Sequence, residues 1–129
     1  MTARRASRWL LAVLFVAAGL NHFRDPAFYD AMIPAVLPWP RFWTLFTGAA
    51  EVAGGAGLFV PRLRKAAGWG LAAMLVGFLW VHVAMLFDPP VFGGEVVPAW
   101  LLWVRLVLQF PLIAWVLWAS RDAAEPKDE

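Results

Sequence analysis

Five side chains able to bind, donate or hold a proton stand inside otherwise apolar stretches of this 129-residue chain: His22, Glu51, His82, Arg105 and Gln109. Glu51 interrupts "AAEVAGGAGLF", about ten residues from either end of an apolar run, near the middle of a bilayer if that run crosses one. A lone charge at such a depth costs ~3 kcal/mol on insertion scales, so a partner is expected. At 1.5 Å per helical residue Glu51 lies ~15 Å and Arg105 ~12 Å from the same outer face, and the matched depths predict an ion pair between them. Gln109 follows Arg105 by one helical turn on the same face. His82 lies ~9 Å deep on its own span, and Asn21 with His22 closes the first span, also on the outer side. All five therefore fall in the outer half, which predicts an outward-facing polar pocket over a hydrophobic plug on the cytoplasmic side.

Two chemistries are open to such a constellation. Donors on His22, His82, Arg105 and Gln109 suit the carbonyl oxygens of a quinone head group, while Glu51 can hold a proton released or taken up on reduction. Alternatively, Glu51 and Arg105 form a purely structural clamp, as interhelical polar contacts in membranes often do. Two histidines on different helices raise axial ligation of haem, but their unequal depths disfavour it, and no metal-ligand spacing is present. Cysteine is absent, which excludes thiolate catalysis, disulfide exchange and cysteine-ligated clusters; a redox role needs a borrowed, non-covalent cofactor. Gly48 and Gly55 flank Glu51 on its own face, leaving both close helix packing and a ligand groove open.

The elements that must position these residues follow from composition. Charged residues make up 16% of the chain against about 25% in soluble domains, 62% is hydrophobic, and there are 9 Trp and 10 Phe, so a membrane protein is expected. The length leaves room for one domain, residues 1–129. Apolar stretches at about 9–23, 42–60, 66–87 and 97–119 each approach the ~20 residues needed to cross a bilayer. The fold class predicted is thus all-α, a polytopic four-transmembrane-helix bundle. Basic residues concentrate before the first span, in "PRLRK" and after the fourth, so the positive-inside rule places both termini in the cytoplasm. The +2 net charge follows this topology and carries no nucleic-acid signal. Small residues at Val16 and Ala18 after a basic start also permit a cleaved signal peptide, although the polar "GLNHF" that follows favours an uncleaved helix. The proline-rich external loop 24–41 has room for a short interfacial helix in "AFYDAMI", with Phe28, Met32 and Ile33 toward the membrane and Asp30 toward water. Trp39 and Trp43 are expected interfacial anchors, and Trp100, Trp103, Trp115 and Trp118 anchor the fourth helix or face lipid. Residues 122–129 read as a disordered, solvated tail.

"AGLNHFRDPAFYDAMIPAVLP" followed by "TGAAEVAGGAGLFVPRLRKAAGWGLAAMLVGFLWVHVAMLFD" resembles the DoxX-like family of small bacterial membrane proteins. The likeness rests on the G-x-x-H-F end of helix one, the I-P-x-x-L-P loop, the Gly-x-x-Glu of helix two and the L-x-x-P-x-x-R turn, over about residues 17 to 110. It implies a four-helix membrane bundle with His22, Pro34, Pro38, Gly48, Glu51 and Pro61 as motif residues. Founding members of that family are associated with quinone-linked oxidation of reduced sulfur compounds, and others with membrane complexes that counter oxidative stress. Where the family often has an asparagine near the outer end of helix three, this chain has His82.

The expected function is accordingly a multi-pass inner (plasma) membrane protein, a subunit of a quinone-linked redox or oxidative-stress complex rather than a stand-alone enzyme. Its expected partners are the lipid bilayer, a redox enzyme or further copies of itself. A non-enzymatic assembly or scaffold protein is the alternative. A passage for a small solute is disfavoured by the apolar cytoplasmic half.

Overall fold

Prolines set where the helices stop. The structure, a computed structural model, describes residues 2–121. The first helix, α1 (Ala3–Arg24), starts on the Thr2 hydroxyl, which accepts from the Arg5 amide at 3.1 Å, and ends at Asp25, where Pro26 excludes helical backbone. A short α2 (Pro26–Asp30) follows. Next, α3 (Pro40–Phe59) begins with proline at its first position and stops at extended Val60, ahead of Pro61. α4 (Arg64–Phe87) ends at Asp88, before Pro89 and Pro90. A two-stranded hairpin, β1 (Val91–Phe92) and β2 (Glu95–Val96), turns on Gly93 and Gly94, both at positive φ, and leads into α5 (Ala99–Ser120).

The chain is predominantly helical, and α1, α4 and α5 are long and apolar enough to cross a membrane. α3 is 20 residues long but carries Arg41, Glu51, two threonines and four glycines, which hold its hydropathy below theirs. The four long helices match the expected stretches closely, with α1 beginning earlier than residue 9 because Thr2 caps it. The tail expected at 122–129 lies outside the described residues.

α3 packs between α1 and α4, and α5 between α4 and α1. The α1/α3 interface is the closest: a Cβ on Gly48 would lie 2.5 Å from His22 Cβ, and one on Gly55 would lie 2.9 Å from the Ala12 carbonyl oxygen. The glycines beside Glu51 therefore seat α1 rather than leave a groove. The apolar core, Leu11, Ala12 and Phe15 with Leu58, Leu71, Leu75, Val116 and Ala119, fills the half of the bundle nearest the 60–63 turn. Large side chains such as Leu10, Val13, Phe46, Trp69, Trp80 and Phe110 point outward, as lipid contact requires.

Candidate functional site: a polar cavity at the α2 end of the bundle

Adjoining that core, whose Leu11, Phe15 and Leu75 it shares, the helices part around a cavity of about 720 Å³. Helical spacing supplies its walls: Leu11, Phe15, Ala18 and His22 recur along one face of α1, and Thr44, Thr47 and Glu51 along one face of α3. Phe28 and Tyr29 of α2 roof it together with Phe92 of the hairpin, whose ring stacks on Phe28 with centroids 4.7 Å apart. Five wall members are exposed: Phe28 of the roof, and Leu14 and Ala18 on α1 with Leu101 and Arg105 on α5, which border a mouth between those two helices. Four of the five sequence candidates line this space: His22, Glu51, His82 and Arg105.

His22 is fixed by its neighbours. Its Nδ1–H donates to the Thr44 carbonyl at 2.8 Å, which leaves Nε2 as the lone-pair nitrogen of a neutral ring. Nε2 lies 3.6 Å from Glu51 Oε2, and both side chains are buried. Nε2 of a neutral imidazole and Oε2 of a carboxylate are both lone-pair atoms, so a proton on either one would turn this contact from repulsive to attractive. Tyr29 stacks on the His22 ring at 3.7 Å, and its hydroxyl accepts from Asn21 Nδ2 at 2.8 Å. Asp30, expected to face water, instead ties α2 to α3, accepting from the Thr44 hydroxyl at 2.6 Å and from Arg41 Nε at 2.9 Å. Met32 and Ile33, expected to face the membrane, line the cavity.

The expected Glu51–Arg105 ion pair is not formed. Glu51 Oε2 has no hydrogen-bond partner and meets His22, while Arg105 is within electrostatic reach of Glu51 but donates from Nη1 to Gln109 Oε1 at 2.7 Å. The reason is rotational: equal depth does not bring together helices that are not neighbours, and α3 faces α1 and α4. Gln109 sits behind the wall, fully buried, with its Nε2 donating to the Leu75 carbonyl at 2.7 Å; it positions Arg105 from outside the cavity. His82 is only 9% exposed, and neither ring nitrogen makes a hydrogen bond of good geometry, although the Gln109 amide lies close enough to influence the ring. Among the described residues no group of three or more His, Asp or Glu forms that could hold a metal ion.

The remaining motif residues have structural places. Pro34 is buried beneath the loop, the Pro38 carbonyl accepts from Trp43 Nε1 at 3.0 Å, Gly48 and Gly55 seat α1, and Pro61 lies at the opposite end of the bundle.

Residues 11–120 match the family model described as Domain of unknown function (DUF8561). The chain belongs to the DUF8561 family. Nothing among curated proteins or solved structures matches it. Every residue lining the cavity, from Leu11 to Leu112, falls within the DUF8561 segment. Three polar cavity residues of this DUF8561 protein escaped sequence reasoning: Tyr29, Thr44 and Thr47. The threonines stand seven and four residues before Glu51, a spacing that already placed them on its face. Tyr29 is the single tyrosine of the chain, and it carried no periodic signal.

Proposed function

We propose that this DUF8561 protein spans the inner membrane four times with both termini in the cytoplasm, and that its cavity receives the head group of a lipid-soluble quinone. We infer that it serves as a membrane subunit of a quinone-linked redox or oxidative-stress complex. One observation carries the reading: Glu51 Oε2 and both nitrogens of His82, on side chains more than nine-tenths buried, lack hydrogen-bond partners and lie at one cavity that opens sideways between α1 and α5. Each unmet buried group costs ~1–3 kcal/mol, which a carbonyl or hydroxyl of a bound molecule would offset. The cavity volume falls within the range of small-molecule sites, and its walls are mainly apolar with a few convergent polar groups. A mouth between helices suits a molecule that arrives through lipid and leaves its isoprenoid tail there.

In this arrangement Arg105 and His82 donate toward a quinone carbonyl, and Gln109 holds the guanidinium in place. A quinone takes up two electrons and two protons to become the quinol. The electrons come from a partner protein, since the chain has no cysteine to supply a thiol or a cysteine-ligated cluster; the His22–Glu51 couple delivers one proton and solvent at the α2 end of the bundle supplies the other. The resemblance to the DoxX-like family supports this reading. So do Arg4, Arg5, Arg8, Arg62, Arg64, Lys65 and Arg121, which gather at the end opposite the cavity, as positive-inside topology requires. α3 counts as the fourth span because it joins the same two ends as its neighbours and turns Glu51 inward.

The test is extraction of the protein from its native membrane in mild detergent, identification of bound lipids and proteins, and thermal protection by a short-chain quinone. Quinone should co-purify and protect. Glu51→Gln should unfold at nearly the parental temperature yet bind the quinone ~10-fold more weakly, a loss of ~1.4 kcal/mol. Absence of both bound quinone and protection would sink the reading and leave a scaffold protein.

A further inference from the structure

On the quinone reading one proton comes from solvent at the α2 end, and the roof of the cavity governs how it enters. α2, the loop behind it and the hairpin segment contribute Phe28, Met32, Ile33, Pro90, Phe92 and Val97 to the wall, none of which has an exchangeable side-chain proton. Tyr29 has one, and it is the single tyrosine of the chain. It is half-buried, so one side chain borders both solvent and cavity. The sideways mouth between α1 and α5 faces lipid on the same reading and brings in no bulk water.

The phenol is held in place while its proton stays available. Tyr29 stacks on His22 with ring centroids 3.7 Å apart and meets Phe28 edge-on at 5.2 Å. Asp30, the next residue, pins α2 to Thr44 and Arg41 of α3. Asn21 Nδ2 donates to the Tyr29 hydroxyl oxygen at 2.8 Å, so the hydroxyl hydrogen turns elsewhere, and no described residue accepts it. The other hydroxyls of the wall are already engaged: Thr44 donates to Asp30 at 2.6 Å, and Thr47 to the Trp43 and Thr44 carbonyls.

We infer that Tyr29 is the proton gate of the cavity, an inference that rests on the quinone reading. Its O–H bond breaks as the proton passes to the quinone oxygen nearest the roof, and a proton from water outside forms the bond anew, so the phenol ends neutral as it began. Two electrons arrive from the reduced partner protein and the His22–Glu51 couple protonates the other oxygen, which completes the quinol. A quinol hydroxyl is itself a phenol, so donor and acceptor hold the proton on similar terms and the transfer needs no strong acid.

The full-length protein in mild detergent is loaded with a short-chain quinone, which dithionite then reduces in place of the partner. Tyr29→Phe keeps both ring contacts; it should bind the quinone ~5-fold more weakly for one lost hydrogen bond, yet the bound quinone should be reduced at least ~10-fold more slowly. Imidazole, a small proton carrier, should restore the rate. Infrared spectra of protein carrying ring-labelled tyrosine mark Tyr29 alone, and its C–O band should shift when quinone binds but not when a hydrocarbon of the same shape does. An unmoved band with quinone bound, an unchanged reduction rate in Tyr29→Phe, or a slowing that imidazole leaves in place overturns the gate and leaves the quinone reading standing. If the parent binds no quinone, as read by thermal protection, that reading fails and the gate fails with it. Should Tyr29→Phe not fold, the infrared shift of the parent decides alone.

Discussion

At the scale of single residues, His82 bears an unmet cost. Its ring is buried with neither nitrogen hydrogen-bonded, whereas the His22 ring, equally buried, has Thr44 on one nitrogen and Glu51 near the other. A buried polar group without a partner destabilises, and an apolar side chain of similar bulk does not. His82→Leu should therefore stabilise the empty protein by ~1 kcal/mol, seen as a higher unfolding temperature in detergent, while abolishing protection by quinone. His22→Leu should do the opposite to stability, since it removes the stronger of two side-chain donors from the Thr44 carbonyl, which keeps only the Thr47 hydroxyl of the two, and leaves the buried Glu51 carboxylate without its neighbour. Comparing the two melting temperatures checks the contrast. Glu51 was legible in the sequence as a residue needing company. That its company is His22 was not legible, because depth along a helix is read from residue number and rotation about its axis is set by packing.

Among the elements, α1 and α3 form the tightest pair because glycines let their backbones meet. Gly48→Ala would force a methyl against the His22 side chain, and overpacking of this kind costs about 1–3 kcal/mol. Gly77→Ala, with nothing within 4 Å of the added methyl, should be neutral or gain up to ~1 kcal/mol from helix propensity. Reversible unfolding of both variants separates contact from propensity. Helix ends were legible wherever a proline follows, at Asp25, Val60 and Asp88, because the residue before proline avoids helical backbone. The hairpin at 91–96 was missed, although Gly-Gly between Val-Phe and Glu-Val is a turn signal, because only two residue pairs form it. Trp39 was expected only as an anchor, yet it takes a left-handed conformation at φ 56°, unusual for a bulky residue, at the N-terminus of α3. No sequence pattern announces strain of that kind.

Across the whole molecule, polarity is divided end to end: an apolar core and most of the arginines at one end, the polar cavity at the other. On the proposed function, a ligand reaches the polar cavity through the mouth between α1 and α5. Ala18→Phe would add bulk at that mouth from an exposed wall position one helical turn from His22. The variant should keep its unfolding temperature within a few degrees but exchange a bound quinone analogue more slowly by at least ~10-fold, as measured by displacement kinetics. Loops join α1 to α3, α3 to α4 and α4 to α5, so every neighbouring pair of long helices is tethered except α5 and α1, the last and the first. The bundle is a ring left unclasped at one joint, and the mouth lies at that joint. Spreading it stretches no covalent connection, so a bulky guest can be admitted sideways by parting the two ends of the chain while the rest of the ring stays shut.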